Sequence, residues 1–347
     1  MRHMTALVLV LGCVGLGGCD RQAPSGATSP ATAAVTELRF VDGVNMDVRD
    51  VPLLMAFDEL AGRGYRVERT YIAGNTLLAD VLARGDADVA VINNETAWTA
   101  IAKGADIRTV SEFSRYTGLL IAREDIRTCR DLDGRRVGLP VTTGFAPLLF
   151  NLYMSRQCPG IEPQVLVVAE SSSRAAALLA GRMDAAMVPG EELLKLQQQS
   201  TIPFHAIASP AGQFPGVRVD GLQVRREWAN RNPAAVRDLL AAQLRAHRLI
   251  RSNPQVLYDE SARRLSLDLA TAKAIGDSHL RMDIWDVNGG LTPENVQSTI
   301  DFLTEAHALP AGLTAAQVSD LSYLNAVLAD LGRGRPAPFQ NNSQPSR

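Results

Sequence analysis

The sequence predicts an α/β protein built as two similar lobes joined by a hinge. Three observations carry this reading. Residues 82–96, LARGDADVAVINNET, align with residues 178–192, LLAGRMDAAMVPGEE, so that Gly85 meets Gly181, Asp88 meets Asp184 and Glu95 meets Glu191. Each copy reads as a helix closed by Gly, an Asp, a short apolar run, a polar turn and a new helix, which is the repeating unit of an open parallel sheet. Each also falls at the same place within its own succession of strand and helix patterns.

The first succession opens with the strand ELRFVDG. The helix VPLLMAFDELAGRG follows, with Leu53, Leu54, Phe57 and Leu60 on one face, Pro52 near its start and a Gly stop. YRVERTYI is a strand, and GNTLLADVLARG a helix with Asn75 or Thr76 as its cap. After the first copy come the helix TAWTAIAKG and the strand IRTVSEF. At SRYTGLLIA the pattern restarts: strand RRVGLP, turn VTTG, helix FAPLLFNLYMSRQ, strand QVLVVA, turn ESSS and helix RAAALLAGRM lead into the second copy. IPFHAIAS and the extended VRVDGLQVRREWA follow. From about residue 232 the pattern is helical, with Pro293 in the first turn of one helix and a Thr314-x-x-Gln317 capping box opening another segment. Extended segments near 114–118 and 210–220 bracket the second lobe, and two connections between two lobes make a hinge. Lobe one therefore comprises residues 36–114 and 218–332, lobe two 115–217, and residues 333–347 form a disordered tail.

The chain is 347 residues long with 35 basic and 37 acidic side chains, a balance that gives no electrostatic reason to bind nucleic acid. Few aromatics, 5%, also argue against a platform for stacking bases. The start, MRHMTALVLVLGCVGLGGCD, has a basic beginning, an apolar run and small residues before Cys19, the layout of a secretory signal peptide. Leu16-Gly17-Gly18-Cys19 resembles a bacterial lipobox, which implies acylation of Cys19 as the first mature residue; Val10-Leu11-Gly12-Cys13 is a weaker candidate. Residues 20–35 read as a flexible tether, and Asp20 resembles the signal that retains lipoproteins at the inner membrane. Only Cys129 and Cys158 remain beyond the anchor. A helix after a parallel strand runs back toward that strand's beginning, so the two cysteines can meet at one end of the unit and form a disulfide; two free thiols are the alternative.

The phrases GNTLLADVLARGDADVAV, DLDGRRVGLPVTTG, RAAALLAGRMDAAMVPG and VDGLQVRREWANRNPAAVRDLLAA, in this order and spacing, resemble the periplasmic substrate-binding proteins of ABC importers for taurine, aliphatic sulfonates, nitrate and thiamine-pyrimidine precursors. The resemblance implies a type II periplasmic-binding-protein fold with its ligand in the cleft between lobes. It implies a lipid-anchored receptor on the periplasmic face of the inner membrane. Such a receptor captures a small organic solute, sulfonate-like, taurine-like or pyrimidine-like, by lobe closure. It hands the solute to an ABC permease, and is expected to be a monomer without metal, cofactor or catalytic activity. An enzyme of the same fold, a pyrimidine-precursor synthase, is the alternative, but its clustered Cys and His are not matched by the scattered His3, His205, His247, His279 and His307. A membrane-anchored sensor or adaptor is another.

Cleft residues are expected in the turns at the carboxyl ends of the strands, where open α/β sheets bind ligands. These are Asn45, Asn75, Thr76, Asn94 and Glu95 from lobe one, and Thr142, Thr143, Ser171, Ser172 and Glu191 from lobe two. Several of these turns open helices, whose free N–H groups suit an anionic ligand group, although plain helix capping accounts for the same residue types. Arg115 and Tyr116 stand at the first crossover, Trp98 reads as core, and His279 and Trp285 fall in a segment that can overhang the cleft. The family's turn after the third strand is usually small, whereas here it is Asn93-Asn94-Glu95, which argues against a bare inorganic anion. Of the paired glutamates, Glu95 is expected to face the cleft, because Pro189-Gly190 can turn Glu191 away.

Overall fold

In a computed structural model the chain is described over residues 36–335, apart from residues 44, 45 and 143. The expected signal peptide, the Cys19 anchor, the tether and the tail from residue 336 lie outside the described residues. Among those described, no helix is long and apolar enough to cross a membrane.

The first stretch runs β1 (Glu37–Asp42), α1 (Val51–Gly62), β2 (Arg66–Tyr71), α2 (Asn75–Arg84), β3 (Val89–Asn93), α3 (Asn94–Ala102) and β4 (Ile107–Ser114). The second runs β5 (Gly118–Arg123), β6 (Arg136–Leu139), α4 (Phe145–Gln157), β7 (Gln164–Val167), α5 (Ser171–Leu179), β8 (Ala185–Pro189), α6 (Gly190–Gln199) and β9 (Phe204–Ala208). The chain then returns through β10 (Asp220–Arg225) to α7 (Arg226–Arg231), α8 (Pro233–Ser252), α9 (Pro254–Leu265), α10 (Leu269–Arg281), α11 (Pro293–Glu305), α12 (Ala315–Val318) and α13 (Ser322–Leu331).

The strands form two five-stranded sheets, ordered β2-β1-β3-β10-β4 and β7-β6-β8-β5-β9. The orders are equivalent strand for strand. In each sheet one strand runs antiparallel to both its neighbours, and it is the strand the chain forms on arriving from the other sheet: β10 beside β3 and β4, β5 beside β8 and β9. The chain therefore crosses between the sheets twice, once at residues 115–117 and once at residues 209–219. An arginine from each crossing faces the buried carboxylate of Glu112 on β4: Arg218 at 3.3 Å, and Arg115 close enough to act on it.

The sequence repeat is a repeat of hydrogen bonds. Gly85 and Gly181 both take positive φ, 84° and 66°, where a side chain would be strained. The helix ends match: Gly85 N–H donates to Leu82 O and Asp86 N–H to Val81 O, as Gly181 N–H does to Leu178 O and Arg182 N–H to Ala177 O. The repeated aspartates then do the same work. Asp88 accepts from the backbone N–H, Nε and Nη2 of Arg39 on the adjacent β1, at 3.2, 3.0 and 2.7 Å, and from Arg225 Nη2 at 3.2 Å. Asp184 accepts from the same three groups of Arg136 on β6, at 2.9, 2.9 and 3.0 Å. Both clamps sit where a central parallel strand begins, at the edge opposite the turns that open α3 and α6.

Each sheet carries its own core. In the first, Leu38, Phe40, Phe57, Ile92 and Trp98 are buried, and Trp98 Nε1 donates to Thr109 Oγ1 at 2.9 Å. In the second, Leu120, Leu132, Phe150 and Met154 pack one face of the sheet, and Ile121, Leu178 and Met183 pack the other. Helix α4 is apolar on more than one side because it serves both sheets. Phe150 and Met154 face its own lobe, while Phe145 and Leu149 join Phe214 and Phe302 in the first lobe's core. The lobes are thus in contact here. Cys129 and Cys158 are joined by a disulfide that ties the segment before β6 to the end of α4.

Asp88 is nearly fully buried, so Asp88→Asn strands two guanidinium groups beside a neutral amide. That substitution is expected to cost about 3 kcal/mol by urea unfolding, as for breaking a buried pair, while exposed Asp86→Asn stays within about 0.5 kcal/mol. Equal effects at the two positions would contradict the clamp. The hydrogen bonds from Arg136 hold the Asp184 carboxyl below its usual range. Its contribution is therefore present above the unfolded carboxylate value and is lost as pH falls through the folded one.

Candidate functional site

The carboxyl ends of the parallel strands of both sheets face one cleft, and the positions expected there divide by how their polar atoms are used. Asn45 and Thr143 lie outside the described residues. Asn75 does not cap α2, which opens after Gly74 without a side-chain cap; its Oδ1 instead accepts the Asn93 N–H at 2.9 Å and pins the neighbouring turn. Thr76 is exposed in the same helical turn. Asn94 is a correction: it is fully buried, its Nδ2 donates to Arg218 O at 3.0 Å and its Oδ1 accepts from Gln223 Nε2 at 3.0 Å, so it knits β10 to α3 and presents no surface to a ligand. Arg115 is likewise engaged, with Nη1 on Asp283 at 2.8 Å and Nη2 on Asp286 at 3.2 Å. In lobe two Thr142 and Ser172 are exposed at the rim and Ser171 is half-buried at the start of α5.

Three of the expected residues face the space between lobes. Glu95 is half-buried, and its carboxylate lies 3.9 Å from where a Cβ on Gly144, at the start of α4, would sit. Burial pushes its pKa up. Tyr116, from the first crossover, stands 6.1 Å ring to ring from Phe145. Its hydroxyl is pushed up to about 12 by burial and then by Asp220, against the pull of Arg174 and Arg49. Glu191, expected to be turned away from the cleft by Pro189-Gly190, has a side chain only 14% exposed. Its Oε2 lies 3.6 Å from Nε2 of His279, which α10 presents across the lobe boundary. Beside Tyr116 a cavity of about 380 Å³ is lined from both lobes and both crossovers, by Arg115, Tyr116, Phe145, Phe214, Arg218 and Met282 among others.

The sequence reading missed the most charged part of the cleft. Asp42 ends β1, Asp47 and Asp50 follow in the next turn, and Asp220 opens β10 in register with Asn93. Arg49 lies among them, with Nη2 2.9 Å from Asp47 and Nη1 3.7 Å from Asp220. Trp285 Nε1 donates to Arg49 O at 3.1 Å and fixes this turn, so the overhanging segment holds the site's backbone. Burial pushes the Asp42 carboxyl up to about 7, against the Gly43 N–H and Arg49, with Asp220 and Asp47 adding to the rise. Asp50 is raised by burial and by Asp47 and Asp42, and Asp220 by burial and Asp47. The three close aspartates in VDGVNMDVRD were a visible signal, but such residues at a strand end also read as turn formers.

A carboxyl raised in the folded state binds more protons there than in the unfolded chain, so it erodes stability as pH rises from about 4 to about 7. Asp42→Asn is therefore expected to be more stable than the parent protein at pH 8 in urea unfolding, with the gain shrinking as pH falls toward 4. A loss of stability at pH 8 would contradict this assignment.

The NMT1/THI5 like family model matches residues 64–256, more than half of the chain. None of the curated proteins matches the sequence. Among solved structures, the putative periplasmic sulfonate-binding protein SsuA from Methylobacillus flagellatus KT is similar with a TM-score of 0.67 at 16% identity, over 86% of this chain and 95% of that one. The periplasmic aliphatic sulphonate binding protein SsuA from Escherichia coli gives 0.64 at 17% identity, over 90% and 96%. The periplasmic nitrate-binding protein NrtA from Synechocystis PCC 6803 gives 0.63 at 16%, over 86% and 90%. At these identities the likeness is one of fold. The chain belongs to the NMT1/THI5-like family and has the two-lobed periplasmic-binding-protein fold.

Proposed function

We propose that this protein is the solute-binding component of an ABC importer, a monomeric receptor held by a lipid on Cys19 at the periplasmic face of the inner membrane. It captures a small organic solute, sulfonate-like, taurine-like or pyrimidine-like, and delivers it to a permease. The observation that carries this reading is the pairing of two sheets of equivalent topology, each with the carboxyl ends of its parallel strands on one cleft, across just two crossings. The proteins of like fold named for sulfonate and nitrate binding support the same assignment. Lobe one is taken as residues 36–114 and 218–332 and lobe two as 115–217, with Glu95, Tyr116 and Glu191 in the ligand's path. Closure follows only if the solute touches both lobes, because only a difference in affinity between open and closed forms shifts their populations.

A thermal-shift screen over sulfonates, amino-sulfonates, pyrimidines and aromatic acids should identify a ligand, and small-angle scattering should then show a smaller radius of gyration when it is bound. A tight ligand that leaves the scattering unchanged would overturn the receptor reading. For the anchor, each buried methylene contributes about 0.8 kcal/mol, so two or three acyl chains hold a domain at a membrane. Intact-mass measurement of the native protein should give a chain beginning at Cys19 with lipid attached, and an unmodified N-terminus beyond it would refute the anchor.

A further inference from the structure

His279 and Glu191 meet across the lobe boundary, and neither is satisfied there. His279 is 1% exposed, and neither ring nitrogen has a hydrogen-bond partner among the described residues. Glu191 Oε2 is closed off from water and has none either. Nε2 and Oε2 stand 3.6 Å apart. A charge-assisted N–H···O bond spans about 2.7–2.9 Å, so the gap is one that a movement of under about 1 Å closes. Buried polar groups are ordinarily paired, and here two open ones lie side by side.

The two residues travel with different lobes. α10 is packed into lobe one, with Ile275 and Leu280 buried in a cluster that includes Val48, Val51, Leu257 and Trp285. α6 follows β8 of the second sheet, and Glu191 lies in its first turn. The helices touch where α6 opens: a Cβ on Gly190 would stand 3.6 Å from Ser278 Oγ and 3.9 Å from Met282 Sδ. A rotation at the two crossovers therefore changes the Nε2–Oε2 distance directly. The other charged groups around the ring are already committed. On α6, Glu192 pairs with Lys195 at 2.8 Å. In the turn before α1, Asp47 is within reach of the ring's charge but is held by Arg49 at 2.9 Å. On α10 itself Arg281 is exposed, and Asp277 takes the Tyr258 hydroxyl and, at 3.0 Å, Lys273. Just beyond the helix Asp283 takes Arg115 at 2.8 Å and Arg251. Glu191 is the carboxylate left for the imidazole.

We propose that His279 and Glu191 form a proton-operated latch between the lobes. A proton from solvent adds to the neutral ring, and the imidazolium Nε2–H donates to Glu191 Oε2, drawing α6 onto α10. This rests on the reading of the lobes as a hinged pair and names what regulates their closure. Closing brings the carboxylate to the ring and opening withdraws it, so the closed form holds the proton more tightly. Acid therefore favours closure, and the preference is lost as pH rises and the ring gives its proton up. With neither nitrogen bonded to protein, no partner fixes one neutral tautomer, and the ring is free to take the second proton.

The test uses the mature chain with no solute added. From about pH 8 to about pH 5, the range in which histidine changes charge, small-angle scattering should show the radius of gyration falling. The closed-to-open ratio should rise about tenfold over that range, the effect of one proton held about one pH unit more tightly. Asp42 and Glu112, with carboxyls pushed up by burial to about 7 and about 8, also titrate near this range, so the latch is read from what a substitution removes. Glu191→Gln keeps the shape of the side chain and removes its charge, and it should abolish most of the response. His279→Gln should do the same, whereas His307→Asn, at an exposed histidine of lobe one, should keep the response. Because His279 is buried, Glu191→Gln decides the matter if His279→Gln fails to fold. The proton is read separately through Trp285, whose ring stands edge-on to His279 at 5.7 Å: acid should quench its fluorescence in the parent chain but not in His279→Gln. A radius that does not change with pH, quenching without closure, or a Glu191→Gln chain that responds as the parent does would overturn the latch. The receptor reading fails separately. Lobes that close on a solute equally well at every pH keep the receptor and remove the latch, whereas lobes that close with acid but with none of the solutes screened keep the latch and remove the receptor.

Discussion

The structure depends on a carboxylate clamped by one arginine's backbone and side chain, made twice. Asp88 holds β1 against β3 through Arg39, and Asp184 holds β6 against β8 through Arg136. Each clamp fixes the register of the two central parallel strands at the edge where β3 and β8 begin. A parallel pair has no tight turn to set its register, so a side-chain lock at the strand start supplies what a hairpin would supply in an antiparallel pair. With the amino edge fixed, the apolar runs of β3 and β8 emerge at the same height in each lobe, and the turns that open α3 and α6 face the cleft. The repeat in the sequence marks the scaffold; the chemistry lies at the other end of the same strands.

The two lobes then diverge in what those turns carry. Lobe two presents Gly144, Ser171 and Gly190 at the starts of helices, with Arg174 drawn inward onto carbonyls. Both lobes carry a glutamate there, Glu95 and Glu191, and lobe one adds the aspartates Asp42, Asp47, Asp50 and Asp220. Bringing Asp42, Asp50 and Asp220 together out of water costs stability in the free protein, a cost of the kind that functional sites carry and scaffolds avoid. The crossovers separate the two roles. Arg115 and Arg218 converge on Glu112 at the junction, and Phe145 and Leu149 seat lobe two on the Phe214–Phe302 surface.

Legibility from sequence followed the range of the interactions. The helix stops at Gly85 and Gly181, the Thr314-x-x-Gln317 capping box and Pro293 at the start of α11 are settled within a turn of helix, and each is present. The family resemblance was legible from motif order. The site was harder. Asn75 and Asn94 have the residue type and turn position of ligand contacts, yet both hydrogen-bond the protein, and local sequence does not distinguish a turn that binds a ligand from one that binds its neighbour strand. The contact of Glu191 with His279 was not legible, because α10 packs on α6 from 88 residues downstream. The acidic cluster needed the same long-range knowledge: Asp220 comes near the end of β1 because β10 returns to the first sheet beside β3.

The division between a fixed amino edge and a ligand-bearing carboxyl edge predicts a specific pattern of amide hydrogen exchange. Adding a solute that binds should slow exchange in the turns around Gly43, Glu95, Gly144, Ser171 and Glu191, on both lobes at once. The amides of Arg39, Asp88, Arg136 and Asp184 should exchange as they do in the free protein. Protection confined to one lobe, or appearing first at the clamps, would contradict the account.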